Sequence, residues 1–255
     1  MLKSLIMAFS CFSHLPMPQV EWESDNMRFI LAWLPAVGLV LGLLVAAWCL
    51  ICDAVGFGAV LKAGGIALIP LAVTGGFHLD GFADVIDAQA SHAEPTRKRE
   101  ILKDSHIGAF AAIGVAAYVV AYFALATELP AGWRVAVLLL CLHVLSRCGS
   151  GFASSMFWGN GTGGMLTSFR DSADVRLTVA IVICFFLVAG IAAIVIAPLA
   201  GCLMVVTVIA LLAWINWFAQ RNFGGMSGDV AGFFLQVCEI LLLACIVIAA
   251  KAVGL

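Results

Sequence analysis

Hydrophobic positions in this chain fall into long unbroken runs, with polar residues gathered between them. About 20 apolar residues span the hydrocarbon core of a bilayer, and seven runs come near that length, at about 29–51, 54–74, 109–127, 133–153, 177–198, 200–218 and 232–251. The second and sixth are the weakest, because Lys62 interrupts one and Pro198-Leu199-Ala200-Gly201 barely separates the other from its neighbour. The polar residues collect in three long connections, 75–108, 154–176 and 219–231. This pattern predicts an all-α integral membrane protein, a single bundle of about seven transmembrane helices. No internal repeat, low-complexity tract or linker marks a second unit, so 1–255 reads as a single membrane-embedded catalytic domain.

Composition agrees: 64% of residues are hydrophobic and 11% charged, and the mean hydropathy is +1.11, which excludes a soluble globular domain. A net charge of -2 argues against a nucleic-acid surface. The nine cysteines, an odd number scattered through apolar segments, read as small hydrophobes, and the Cys49-x-x-Cys52 pair as packing. The N-terminal MLKSLIMAFSCFSHLPMPQ has one lysine and a short apolar run but no small-residue cleavage site before Pro16, so it is expected to lie in the membrane interface.

Basic residues near segment ends favour the cytoplasmic side. Lys3, Arg28, Arg97, Lys98, Arg99, Lys103, Arg170, Arg176 and Arg221 then place the N-terminus inside, the C-terminus outside and all three polar connections in the cytoplasm; Arg134 and Lys251 are minor exceptions. The expected location is the cytoplasmic (inner) membrane, multi-pass, with cytoplasmic active-site loops. His143, Arg147, Asn216 and Glu239 are expected in the cytoplasmic half of their helices, His143 and Arg147 one turn apart. Ionisable groups at such depth face a bundle interior or a cavity, which favours a functional Arg147.

The chemistry concentrates in the first polar connection, where Asp80, Asp84, Asp87 and Asp104 stand beside His78, Lys103 and the run Arg97-Lys98-Arg99. A helix over 79–92 puts Asp80, Asp84 and Asp87 on one stripe. Repelling carboxylates need a positive partner, and a hard divalent cation suits oxygen ligands; a solvated acidic face is the competing reading. Gly75-Gly76 opens the stretch, where backbone can approach a phosphate closely. The third connection repeats the logic with Asn222, Gly224-Gly225, Ser227 and Asp229 at a helix start, although Asp229 also reads as a plain cap. Gly159-Asn160-Gly161-Thr162-Gly163-Gly164 is glycine-rich without P-loop spacing. Together these suit a metal-assisted reaction at a phosphate or pyrophosphate. Neither a serine–histidine–carboxylate set, nor H-E-x-x-H, nor a dinucleotide fingerprint can be picked out.

The runs Gly75-Gly76-Phe77-His78-Leu79-Asp80-Gly81-Phe82-Ala83-Asp84-Val85-Ile86-Asp87, Leu102-Lys103-Asp104-Ser105-His106-Ile107-Gly108 and Gly224-Gly225-Met226-Ser227-Gly228-Asp229, with Phe12-Ser13-His14-Leu15-Pro16-Met17-Pro18, resemble the cobalamin synthase family, adenosylcobinamide-GDP ribazoletransferase. The resemblance covers most of the chain. It implies a final-stage step of cobalamin synthesis: α-ribazole, or its 5'-phosphate, attacks the cobinamide-linked phosphorus of adenosylcobinamide-GDP, and GMP leaves. It implies Mg2+, with Asp80, Asp84, Asp87, Asp104 and Asp229 as metal candidates, and Asp80, Asp84, Asp104, His78 and Lys103 in the catalytic set. Three positions depart from the family pattern: His106 replaces the Arg after Lys-Asp-Ser, Ala88 replaces Gly, and Ser155–Asn160 lacks a Tyr-Ala-Arg. Substrate grip is therefore expected from Arg147 or Arg170, with Asn222, Gly224, Gly225 and Ser227. The expected partners are the two substrates and membrane lipid, with no nucleic acid; self-association is left open. Two alternatives stand beside this reading. A CDP-alcohol phosphotransferase also holds metal with membrane aspartates, but its long motif is absent and only Asp80, Gly81 and Asp84 echo it. An ion-coupled transporter would set its polar groups near the bilayer midplane.

Overall fold

Apolar runs of this length bury their backbone hydrogen bonds only by coiling into helices, and helices are what the computed structural model shows over the residues it describes, 1–104, 106–161 and 163–254. In chain order they are α1 (Leu2–Phe12), α2 (Ser24–Met27), α3 (Leu34–Val55), α4 (Ala59–Thr74), α5 (Phe77–Ala90), α6 (Pro95–Ile101), α7 (Ala109–Thr127), α8 (Trp133–Met156), α9 (Met165–Ser172), α10 (Val175–Ile196), α11 (Pro198–Phe223) and α12 (Gly228–Val253). Six are long and apolar enough to cross a membrane, and α4 with α5 make a seventh candidate bent by 95°. The protein is an all-α membrane protein with six to seven membrane-length segments where about seven were expected, the second being the bent one.

The two ends of the bundle are chemically different. At one end Lys62 donates to Asp53 at 2.8 Å and to the Pro130 carbonyl at 3.3 Å, while the Gly132 amide donates to Asp53 at 2.9 Å. These bonds tie the α3–α4 turn to the α7–α8 turn. They also explain how a lysine interrupts a hydrophobic run: its charge is paired, not exposed to lipid. Lys251 at the end of α12 reaches Glu128 just after α7 at 2.7 Å, at the same end. From Lys62, α4 runs to the opposite end, where the His14 amide donates to the Val73 carbonyl at 2.7 Å.

There the chain turns sharply. Gly75 (φ +61°) and Gly76 (φ +76°) take left-handed conformations back to back, which glycine adopts without the Cβ penalty. The His14 ring packs directly over Gly75, leaving no room for a side chain. Beyond the bend α5 lies across the bundle end against α12. The contact needs glycine too: a Cβ on Gly81 would stand 2.8 Å from Asp229 Cα, and one on Gly232 would stand 2.8 Å from the His78 carbonyl oxygen. Small residues allow such close helix contact where apolar burial alone gives no drive.

The core centres on α8, buried along most of its length between α3, α10, α11 and α12. A second apolar cluster forms at the chamber end, where Met7, Phe9 and Phe12 of α1 pack on Ile30, Leu31, Leu34 and Phe169. The N-terminal segment is thus a docked amphipathic helix. α6 is held in turn by Lys98, which donates to Gln89 at 2.9 Å and to Asn222 at 3.1 Å.

Candidate active site

Four separate stretches of sequence meet at the end of the bundle to which α5 turns. The glycine-rich stretch before α9 and the turn between α11 and α12 join in a short parallel bridge, Gly159 with Met226. The Met226 amide donates to the Trp158 carbonyl at 2.8 Å, and the Asn160 amide to the Met226 carbonyl at 3.1 Å. Gly225 (φ +142°) is needed here, because a Cβ would meet the Trp158 carbonyl. Around this bridge opens a chamber of about 470 Å³ whose walls include Asp80, Lys103, Arg170, Asp171, Ser227 and Asp229. Its size falls within the ordinary range for ligand sites.

The chamber carries charges of both signs. Arg170, at the end of α9, lies over Gly159, and its Nη1 is buried without a hydrogen-bond partner among the described residues. An unpaired buried guanidinium N–H is costly unless a ligand completes it. Lys103 also lines the chamber, and among the described residues its ammonium has no acceptor. Asp80 and Asp229 line the same space, and Asp84, one turn along α5, stands in the field of Asp80, Asp229 and Asp87. Ser227 caps α12, accepting from the Val230 amide at 3.2 Å, and its hydroxyl lies 3.4 Å from the Asp229 carboxylate. Among the described residues no three carboxylate, imidazole or thiol side chains close into a ready cage. Magnesium does not need one, since it binds through one or two carboxylates and fills its remaining positions with water and phosphate oxygens.

Other candidates fall elsewhere. Asp87 shares the α5 stripe but points to the start of α7, where the Ala111 amide donates to it at 3.4 Å. Asp104 is exposed and held by His106, through Nδ1 at 2.7 Å and the backbone amide at 3.0 Å, bonds that keep its carboxyl below the usual carboxylate range. Asn222 bonds the Phe218 carbonyl at 2.9 Å and accepts from Lys98, outside the chamber walls. Gly224 (φ +71°) ends α11 beside Arg99. His78 is buried and lines a slot next to the chamber. Arg147 is buried deep in the bundle, donating to Glu239 and to Ser146 Oγ at 2.9 Å, with His143 Nδ1 also 2.9 Å from Glu239. Arg147 and Glu239 lie in the halves of α8 and α12 nearer the chamber, and His143 falls just past the middle of α8, so the cluster sits near mid-bundle at the inner edge of the expected half. Asn216 faces outward from α11. Ser105 and Thr162, both within the motifs quoted above, lie outside the described residues.

Thr167 and Asp171 line the chamber without having stood out in the sequence. The signal was available only indirectly: Arg170 was a candidate, and Thr167 and Asp171 flank it on α9, whose existence the glycine-rich stretch before it conceals.

Fold and site together define a polytopic α-helical membrane protein with an acidic and basic, glycine-walled chamber at one end of its bundle. The family model described as cobalamin-5-phosphate synthase matches residues 4–247, and the chain belongs to that family. Among its relatives, the adenosylcobinamide-GDP ribazoletransferase of Lachnoclostridium phytofermentans is 32% identical over 250 residues, covering 97% of this chain and 94% of the relative. The protein of the same name from Clostridium botulinum strain Alaska E43 is 33% identical over 246 residues, 94% of each chain. That of Geobacillus thermodenitrificans is 28% identical over 250 residues, 93% of this chain and 92% of the relative. No solved structure matches.

Proposed function

We propose that this protein carries out the reaction for which these relatives are named, joining adenosylcobinamide-GDP to α-ribazole or α-ribazole 5'-phosphate. A free ribose hydroxyl of the acceptor, at a position other than the 5'-carbon so that a 5'-phosphate survives into the product, forms a bond to the cobinamide-linked phosphorus, the bond from that phosphorus to the GMP oxygen breaks, and the hydroxyl proton passes to solvent. The products are GMP and adenosylcobalamin, or its 5'-phosphate. The observation that carries this reading is the chamber, whose walls bring Arg170 and Lys103, without acceptors among the described residues, together with Asp80 and Asp229.

Each group has a role that its position suits. Arg170 and Lys103 hold the diphosphate and share the charge that grows on the departing GMP. The chamber's glycines leave backbone open to the phosphates without side-chain obstruction. Asp80 and Asp229, with Asp84 behind them, would hold Mg2+ together with phosphate oxygens; the ion would supply positive charge to the non-bridging oxygens. Asp104, exposed and bonded to His106, neighbours Lys103 in the chain and is the remaining carboxylate candidate for this set. Arg97, Lys98, Arg99, Lys103, Arg170 and Arg221 all lie at the chamber end, which supports a cytoplasmic chamber in the inner membrane.

The test is GMP release by purified protein given adenosylcobinamide-GDP, with and without α-ribazole, magnesium and chelator. Release is expected only with acceptor and metal together. Asp84→Asn is expected to insert and fold normally yet lose about two orders of magnitude in turnover, the scale of losing one electrostatic stabiliser. Full turnover by Asp84→Asn would remove the metal assignment, and release without acceptor would remove the transferase.

A further inference from the structure

An apolar slot leads off the chamber and shares Phe77, Met165, Leu166 and Gly228 with it. Three polar side chains line this slot: Ser150 donates to the Ala231 carbonyl at 3.3 Å, whereas His78 and Ser154 make no side-chain hydrogen bond to a described residue. His78 is 4% exposed; its ring stacks on Phe12 with centroids 6.0 Å apart and meets Phe77 edge-on at 5.3 Å. The ring makes no hydrogen bond to a described residue, and Nδ1 is buried without a partner. Ser154, near the end of α8, is 2% exposed, and its hydroxyl has no partner among the described residues. Buried polar atoms are nearly always paired, so the spare His78 Nδ1, with the Ser154 hydroxyl in the same aromatic slot, marks a place that a ligand completes.

We propose that this slot receives the heteroaromatic base of the nucleoside acceptor, with His78 and Ser154 as specificity-determining residues that bind its edge. The proposal rests on the transferase reading above. Its chemical basis is the count of polar atoms. A benzimidazole already joined to ribose keeps one unprotonated ring nitrogen, which accepts one hydrogen bond and donates none. The Ser154 hydroxyl or a ring N–H of His78 supplies that donor, while Phe12 and Phe77 flank the ring. The guanine of the donor substrate does not fit, since its N–H and NH2 groups need several acceptors and the slot has no carboxylate. An adenine base would likewise leave its amine unpaired, and sites reject groups they leave unpaired more strongly than groups they merely crowd. About 50 Å³ of the slot is free, less than a bicyclic ring fills, so entry moves Leu166 and Phe169 outward on the eight-residue α9.

The experiment pairs equilibrium dialysis of α-ribazole, with neither donor nor metal present, with steady-state kinetics of GMP release. His78→Phe keeps the ring stack and removes the nitrogens, and Ser154→Ala removes the hydroxyl. Each is expected to weaken α-ribazole binding about tenfold, as loss of one buried hydrogen bond does, and to raise KM for α-ribazole more than it lowers kcat, leaving KM for adenosylcobinamide-GDP unchanged. Wild-type protein is expected to prefer the benzimidazole nucleoside to its adenine counterpart. If His78→Phe fails to insert, Ser154→Ala carries the test alone. Binding and KM equal to wild type in the variants overturn the slot while leaving the transferase intact. Tight α-ribazole binding that both variants weaken, in a protein that never releases GMP, supports the slot and overturns the transferase.

Discussion

Arg147 shows how one residue's environment can reverse its reading. An arginine inside an apolar helix is a functional candidate by default, and without a partner in view a substrate role is the natural inference. The partner is Glu239, 92 residues away, with Ser146 and His143 completing the cluster, and all of these side chains are at most 2% exposed. Gly38 lets α3 come close enough to seal the arginine in, since a Cβ there would touch the Arg147 side chain at 2.8 Å. The cluster pins α8 to α12 and lies apart from the chamber. Breaking a buried pair from one side strands a charge and costs about 3–5 kcal/mol, whereas removing both charges is often neutral. Arg147→Ala is therefore expected to lower the thermal midpoint in detergent sharply, and Arg147→Met combined with Glu239→Leu to restore most of it. If the single variant melted like wild type but raised KM for adenosylcobinamide-GDP, Arg147 would be a substrate residue after all.

Among the elements, the bend between α4 and α5 places most of the site. It brings Asp80 to the chamber, sets Gly81 against Asp229 and turns the acidic stripe across the bundle end. Gly75→Ala forces a side chain into a left-handed backbone, at about 1–2 kcal/mol, and into the His14 ring. The expected result is a modestly less stable protein with a much larger fall in GMP release, read by melting and by turnover. A proportionate fall in both would mean that the bend only supports the fold. Hydropathy located the long helices well, because a bilayer-length apolar run has few alternatives: α7 occupies 109–127, the predicted range, and α10 is displaced by two residues. The stripe of Asp80, Asp84 and Asp87 was legible for the same reason, since helical period follows from spacing alone. What stayed hidden was tertiary. The Gly159–Met226 bridge joins connections whose glycines look alike in sequence but carry no sign of pairing, and Asp104 sits in the same motif as Lys103 yet turns to His106.

Across the whole molecule, charge separates the two ends. Near the chamber the basic residues are numerous, and Arg170 and Lys103 have no acceptor among the described residues. At the far end Lys62 is bound by Asp53 and Lys251 by Glu128, while Arg134 lies over the Trp133 ring. The chamber end carries more of the basic residues, and these are what favour the cytoplasmic side, so the far end is expected to face outward. That asymmetry makes orientation testable independently of catalysis. Cysteine substitutions Arg97→Cys, on exposed α6, and Arg134→Cys, at the start of α8, belong in a cysteine-free background, because native Cys184 and Cys202 are exposed. A membrane-impermeant maleimide is expected to label Arg134→Cys on intact spheroplasts and Arg97→Cys only in inside-out vesicles. The reverse pattern would put Asp80, Arg170 and Asp229 outside the cell, where a nucleotide-linked donor made in the cytoplasm could not reach them, and the proposed reaction would fall with the orientation.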